Sequence, residues 1–253
     1  MCLILFSHNQ HPNYKLIVAA NRDEFYARPT KPAEFWEEDE NILAGKDLEA
    51  GGTWMGMTKT GRISMLTNFR DLSNIKADAP TRGHLVSNFL KSEESSEKYM
   101  NAIAEKGELY NGFNLISGNI DTLHYYGNYQ NGVHKIESGV HGLSNALLDS
   151  PWPKVIKGKE KLADIIKSPT LTVDQLFDSL YDDLKAKDKE LPDTGVGYDM
   201  EKMLSPMFIK SEKYGSRCST AILVDKNNNV QFAERTYNTN DFTFSVKHFE
   251  WKI

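Results

Sequence analysis

The chain is poor in cysteine. It holds two, Cys2 and Cys218, in 253 residues. That excludes a disulfide framework and fits a reducing, cytoplasmic-type compartment. Long apolar runs are absent too: none approaches the roughly 20 residues that span a bilayer, so no membrane insertion is expected. The opening apolar run, Cys2 to Phe6, has no basic flank, so no signal peptide is expected. Positive charge is not in excess: 30 Lys and Arg stand against 35 Asp and Glu, a net −5. This leaves no electrostatic footprint for nucleic acid. There is no GxGxxG, Walker, HExxH or CxxCH pattern, so nucleotide, zinc-protease and covalent-haem chemistry have no motif to rest on. Internal repeats, low-complexity tracts and linkers are missing as well.

What is present is ordinary globular composition, 40% hydrophobic and 26% charged, enough to bury a full core. A single domain over residues 1–253 is expected. Cys2–Ser7 and Lys15–Ala20 read as two strands joined at HNQHPN. Further hairpins are expected around Lys59-Thr60-Gly61, Asn119-Ile120-Asp121 and Lys226–Asn229, with a closing strand over Phe242–Phe249. One or two helices are expected between Thr81 and Lys106. Ser150-Pro151 reads as a helix start running to about Lys167. Thr172-Val173-Asp174-Gln175 matches a capping box opening a helix to about Lys187, and Lys187–Ser205 reads as loop. The class is α+β, antiparallel sheets with helical layers.

Two features carry chemistry. The apolar run Leu16–Ala20 ends abruptly in Asn21-Arg22-Asp23-Glu24. These four are either a solvated turn or the wall of a pocket at the end of a core strand. Cys2 follows Met1 directly. Removal of Met1 would leave a thiol and an α-amine on one carbon, nucleophile and general base in one residue. Taken alone, Cys2 reads as a small apolar residue opening a buried strand.

The stretches MCLILF, AANRDEFYARP, GGTWMGMTKTGRISMLTNFRD, LYNGFNLISG, HGLSNALLDSPWPK and YGSRCSTAILVD resemble the NRDE family, named for its Asn-Arg-Asp-Glu quartet. The resemblance runs in order to about residue 236. More distantly, the pattern is similar to the choloylglycine hydrolase and penicillin V acylase branch of the N-terminal nucleophile hydrolases. That resemblance implies a four-layer αββα fold of two antiparallel sheets with outer helices. It also implies cleavage of a carbon–nitrogen amide bond in an acyl substrate by a cysteine freed at the chain start. Carried over by position, it makes Cys2 the nucleophile and Asp23 the group that orients its amine. The Asn68 backbone N–H and the Asn145 side chain become oxyanion donors, and Arg217 poises the thiol. Asn21 and Trp54 are expected against substrate. One departure stands out: the branch carries Arg-Asn-x-Asp where this chain has Ala20-Asn21-Arg22-Asp23.

Strand side chains alternate, so Asn21 and Asp23 are expected on one face beside Cys2. Arg22 and Glu24 are expected as a structural cluster on the other. By the same alternation Cys218 should face away from Arg217. The family resemblance also implies an alternative, a non-catalytic carrier of haem or an acyl lipid. No cofactor is required, haem is a possible ligand, and no metal site is expected. His8 and His11 read as a solvated turn, Glu34–Glu40 as an acidic loop, and Gly51, Gly52 and Gly56 as tight turns.

Overall fold

The computed structural model describes residues 2–253. The first half contains β1 (Cys2–His8), β2 (Tyr14–Phe25), β3 (Thr30–Trp36), β4 (Asp39–Asp47), β5 (Met55–Thr58) and β6 (Arg62–Asn68). Then come α1 (Gly83–Lys91), α2 (Ser96–Ala104), β7 (Phe113–Asn119), β8 (Leu123–Gly127), β9 (His134–Lys135) and β10 (Gly139–Leu143). The last part holds α3 (Pro153–Ile165), α4 (Val173–Leu180), α5 (Tyr198–Leu204), β11 (Tyr214–Asp225), β12 (Asn229–Tyr237) and β13 (Phe244–Lys252).

These elements form two compact units. The first comprises residues 1–27, 138–144 and 148–252. Its antiparallel sheet has the order β10-β1-β2-β11-β12-β13. One face carries Leu3, Leu5, Ile17, Ala19, Ala221, Leu223 and Ala233, all buried against Val155 and Leu162 of α3 and Leu176, Phe177 and Leu180 of α4. Four neighbouring strands supply this face, β1, β2 and β11 each through alternate residues, as a pleated sheet with one helix-covered side requires.

The second unit comprises residues 28–137, 145–147 and 253. Its sheet has the order β3-β4-β5-β6-β7-β8-β9. Ile42, Ala44, Leu66, Phe113 and Leu115 pack there with Leu85, Phe89 and Leu90 of α1 and Met100 of α2. No helix among the described residues is long and apolar enough to cross a membrane.

Several boundaries differ from the sequence reading. Glu34–Glu40 is the β3–β4 hairpin rather than an acidic loop. α3 has Trp152 as its N-cap, with Pro153, not Pro151, in its first turn. The capping box of α4 forms as read, Thr172 and Gln175 exchanging both hydrogen bonds. The helix nevertheless stops at Leu180, where the side chain of Asn21 takes the Leu180 carbonyl (3.3 Å). α5 lies inside the stretch read as loop. His11 is buried, with Nε2 2.8 Å from the Ser168 carbonyl, so it is no solvated turn residue. Gly51 and Gly52 have φ of +73°. Gly56 serves close approach instead: a Cβ there would lie 2.7 Å from that of Ala44.

Candidate functional site

The ladders decide which side chains meet. β1 and β2 pair Cys2 with Arg22 and Leu3 with Asn21. β2 and β11 pair Arg22 with Cys218, Asn21 with Ser219 and Asp23 with Ser216. Directly paired residues share a face. Cys2, Arg22 and Cys218 therefore form a row on one face. Leu3, Asn21 and Ser219 form a row on the other, the helix-covered one, with Asp23 on the same side. This corrects the expectation that Asn21 and Asp23 stand beside the thiol while Arg22 faces away. The alternation along β2 was read correctly. The register against β1, which assigns the faces, is a separate quantity.

Asn21, expected against substrate, lies instead on the helix-covered face. It is buried, its Nδ2 donates to the Leu180 (3.3 Å) and Met207 (2.8 Å) carbonyls, and its Oδ1 accepts from Ser219 Oγ (2.5 Å). It closes the C-terminus of α4, whose last carbonyls lack helical partners. Asp23 is equally buried and accepts from Ser216 Oγ (2.6 Å), which in turn accepts from the Ile209 N–H (2.9 Å). Burial pushes the Asp23 carboxyl up, against the Lys154 charge and the Ser216 hydrogen bond, which pull it down. Glu24 is half-buried, its Oε1 accepting from the Phe25 N–H (2.8 Å). It shapes the strand end locally rather than joining a buried ion-pair cluster.

Arg217 is the extra residue of a β-bulge: the register shifts between Ser216 and Cys218. A bulge breaks alternation, which is why Cys218 ends on the Cys2 face despite the expectation that it turns away. Arg217 is half-buried, donates to the Phe25 carbonyl (3.2 Å) and meets the charges of Arg22 and Glu24. Cys2 and Cys218 lie on strands separated by β2, about 9.6 Å at two strand spacings. That exceeds disulfide reach, and both are free thiols.

The Cys2 thiol is raised above its usual range, first by burial and then by the Asp23 charge. Arg22 and a hydrogen bond from the Asp23 backbone N–H act in the opposite direction. Cys218 is raised much further by burial and by Glu234, to which its thiol is hydrogen-bonded. It is a structural thiol.

Sequence reading missed the residues that hold these groups. Ser144 Oγ donates to the Cys2 carbonyl (3.1 Å), fixing the start of β1. Asp149, at φ +59°, has its Oδ2 2.8 Å from His141 Nδ1 and accepts from Lys159 (2.6 Å) and the Gly142 N–H (2.9 Å). The only signal for either was its place inside HGLSNALLDSPWPK.

In the second unit Asn145 Nδ2 donates to the Asn68 carbonyl (2.8 Å), and the Arg70 N–H donates to the Asn145 carbonyl (2.8 Å). Phe69 N–H bonds the Gly112 carbonyl (2.9 Å), so Asn68 and Phe113, one step back, form a non-hydrogen-bonded pair. The Asn68 N–H thus points away from β7, toward the side where Leu66 donates to the Trp54 carbonyl (2.9 Å). Trp54, expected against substrate, lays its ring over Gly45 of β4, where a Cβ would come within 2.3 Å. Among the described residues, no group of three or more His, Cys, Asp or Glu could hold a metal.

The chain is 37% identical to the mouse Transport and Golgi organization 2 homolog, covering 98% of this chain and 100% of that one. It is 37% identical to the human homolog (96% and 95% covered) and 30% to the Drosophila melanogaster protein (99% and 95%). Among solved structures, the C2A mutant of conjugated bile acid hydrolase from Clostridium perfringens aligns with a TM-score of 0.54 at 9% identity, over 100% of this chain and 97% of that one. An N-acylethanolamine-hydrolyzing acid amidase ortholog from Caenorhabditis elegans aligns at 0.50 and 9%, over 88% and 92%. These likenesses show the fold: α+β, two antiparallel sheets with helices, as the sequence led one to expect. The Transport and Golgi organisation 2 family model matches residues 1–239, and the chain belongs to that family.

Proposed function

We propose that the chain is a cysteine N-terminal nucleophile hydrolase-like protein that cleaves a carbon–nitrogen amide bond of an acyl substrate. The observation that carries this reading is the pairing of Cys2 with Arg22 at the head of β1. Asp23 lies one residue further along, on the side of the Cys2 backbone nitrogen. Met1 lies outside the described residues, and the mechanism requires its removal. The α-amine then takes the thiol proton, and the sulfur attacks the acyl carbonyl. The amine leaving group departs with that proton, and water hydrolyses the thioester. Arg22 opposes the burial that holds the thiol protonated. Asp23 accepts from the α-amine. The Asn68 N–H and the Asn145 amide are the donors assigned to the oxyanion, and losing one such donor costs about 2.7–4 kcal/mol. No cofactor takes part, and a reducing cytoplasm suits a free thiol.

The test is turnover of a panel of N-acyl amides by protein lacking Met1. Cys2→Ala should fold normally and release no amine. Retained turnover in Cys2→Ala would remove Cys2 from the role.

One observation favours a second reading, a non-catalytic carrier of an acyl lipid or haem: burial pushes the Cys2 thiol away from the reactive thiolate. A carrier binds its ligand equally in Cys2→Ala, and a haem carrier shows a ligand-dependent absorbance shift in a haem titration.

A further inference from the structure

The edge strands are β10 and β13 in one sheet, β3 and β9 in the other. An open edge is a template for another strand, and proteins blunt it by a few known devices. β9 is two residues long. β3 carries Pro32 and two register shifts against β4. β10 is closed by Asp149, whose N–H donates to the Gly142 carbonyl (2.8 Å) and whose Oδ1 accepts from the Gly142 N–H (2.9 Å). β13 has none of these. It runs nine residues, Phe244–Lys252, in unbroken register with β12. Its mid-strand lysine, Lys247, stands opposite Glu234 of β12, so that charge is matched within the sheet. The Asn238 N–H bonds the Thr243 carbonyl (2.7 Å), and alternation from there turns the backbone of Ser245, Lys247, Phe249 and Trp251 toward β12. The N–H and C=O groups of Val246, His248, Glu250 and Lys252 therefore point outward, with no backbone partner among the described residues.

We propose that β13 is a dimer interface: a second copy of the chain lays its own β13 antiparallel along this edge, across a two-fold axis at Phe249, and joins the two sheets into one. The strand is complementary to itself in this register. His248 faces the partner's Glu250, and Glu250 faces the partner's His248. Lys247 meets the partner's Trp251, a cation against an indole, and Phe249 packs on the partner's Phe249. Such self-matching is what an isologous contact requires. Of the registers that use most of the strand, an axis at Lys247 sets that lysine against its own copy, and an axis at His248 leaves Glu250 facing Val246. Both lose the cross-strand charge match. The inference is independent of any role for Cys2.

The test is sedimentation equilibrium of the full, untagged chain over the micromolar range, with hydrogen exchange followed by NMR on the same samples. The wild type should dimerise with rising concentration. The outward amides of Val246, His248, Glu250 and Lys252 should then gain protection, while those of Ser245, Lys247, Phe249 and Trp251 keep theirs at every dilution. Glu250→Lys and His248→Glu, both at exposed positions, should each weaken the dimer about tenfold, since the altered pair occurs twice across the axis. The double variant should restore it, because lysine and glutamate then face each other. A chain that stays monomeric overturns the proposal, as does a dimer whose outward amides exchange freely or whose strength ignores both single variants. A monomer that instead pairs β13 with an added extended peptide of unrelated sequence overturns it too and reassigns the edge to a peptide ligand. If a charge variant does not fold, concentration-dependent protection of the four outward amides in the wild type decides alone.

Discussion

Asn21 and Arg22 are neighbours in the sequence with opposite duties. Asn21 serves the fold. Its removal takes the side-chain donor from the buried Met207 and Leu180 carbonyls, while the Ser219 hydroxyl keeps Tyr237 as a partner. Each unsatisfied group costs about 1–3 kcal/mol, so Asn21→Ala should destabilise by about 3 kcal/mol in urea unfolding without altering ligand affinity in the survivor. Arg22 serves the thiol. Arg22→Ala should move the pH midpoint of Cys2 alkylation by iodoacetamide upward, because the cation opposing burial is gone; an unmoved midpoint would contradict the pairing. Asp23 shows the cost of such a site. Its folded carboxyl is raised above 3.8, first by burial, so the protonated form favours folding and the anion opposes it. That contribution is fully present below the ordinary carboxylate value and lost as pH rises through the raised one. Asp23→Asn should therefore raise the melting temperature at pH 7, the gain fading as pH falls below about 4. Residue type and motif order single out Cys2, Asp23 and Arg217 as candidates. Their facing was not, because the sequence carries alternation but not register, and the bulge at Arg217 has no local signature.

The hairpins were legible wherever a polar turn separates two apolar runs, as at Lys59-Thr60-Gly61. The β3–β4 hairpin was hidden because Glu34 to Glu40 is so acidic that charge outweighs the strand pattern. α5 was hidden in a polar stretch whose apolar members, such as Leu204, are few. Its place is fixed by tertiary contacts, Lys154 to the Leu204 carbonyl among them. The segment over residues 204–209 also depends on Gly215. A Cβ there would lie 2.3 Å from the Ile209 carbonyl oxygen, a backbone atom that cannot swing aside. Gly215→Ala should cost about 2–3 kcal/mol, measured by denaturant unfolding. Asp149 closes the base of the 143–148 loop. Burial pushes its carboxyl up, but hydrogen bonds from His141, Lys159 and Gly142 bring it down to about 2. The stability this contributes is present above about 3.8 and lost as pH falls toward 2. Hydrogen exchange of the Ser144 amide should accelerate across that window and do so already at pH 7 in Asp149→Ala.

Taken entire, the chain builds its first sheet from segments far apart in sequence, whereas the strands of the second follow in chain order. β10, from the middle of the chain, pairs with β1, and β11, from its last quarter, pairs with β2. Such long-range ladders put the family's motifs, scattered over more than 200 residues, into the two units. They also leave the α-nitrogen of Cys2 as the point on which the hydrolase reading turns. The deciding measurement is the intact mass of untagged protein before and after exposure to p-nitrophenyl hexanoate. The account predicts a chain lacking one methionine that gains a single hexanoyl group on Cys2, a gain absent in Cys2→Ala. A chain that keeps Met1, or one that lacks it and takes up no acyl group at Cys2, would contradict it.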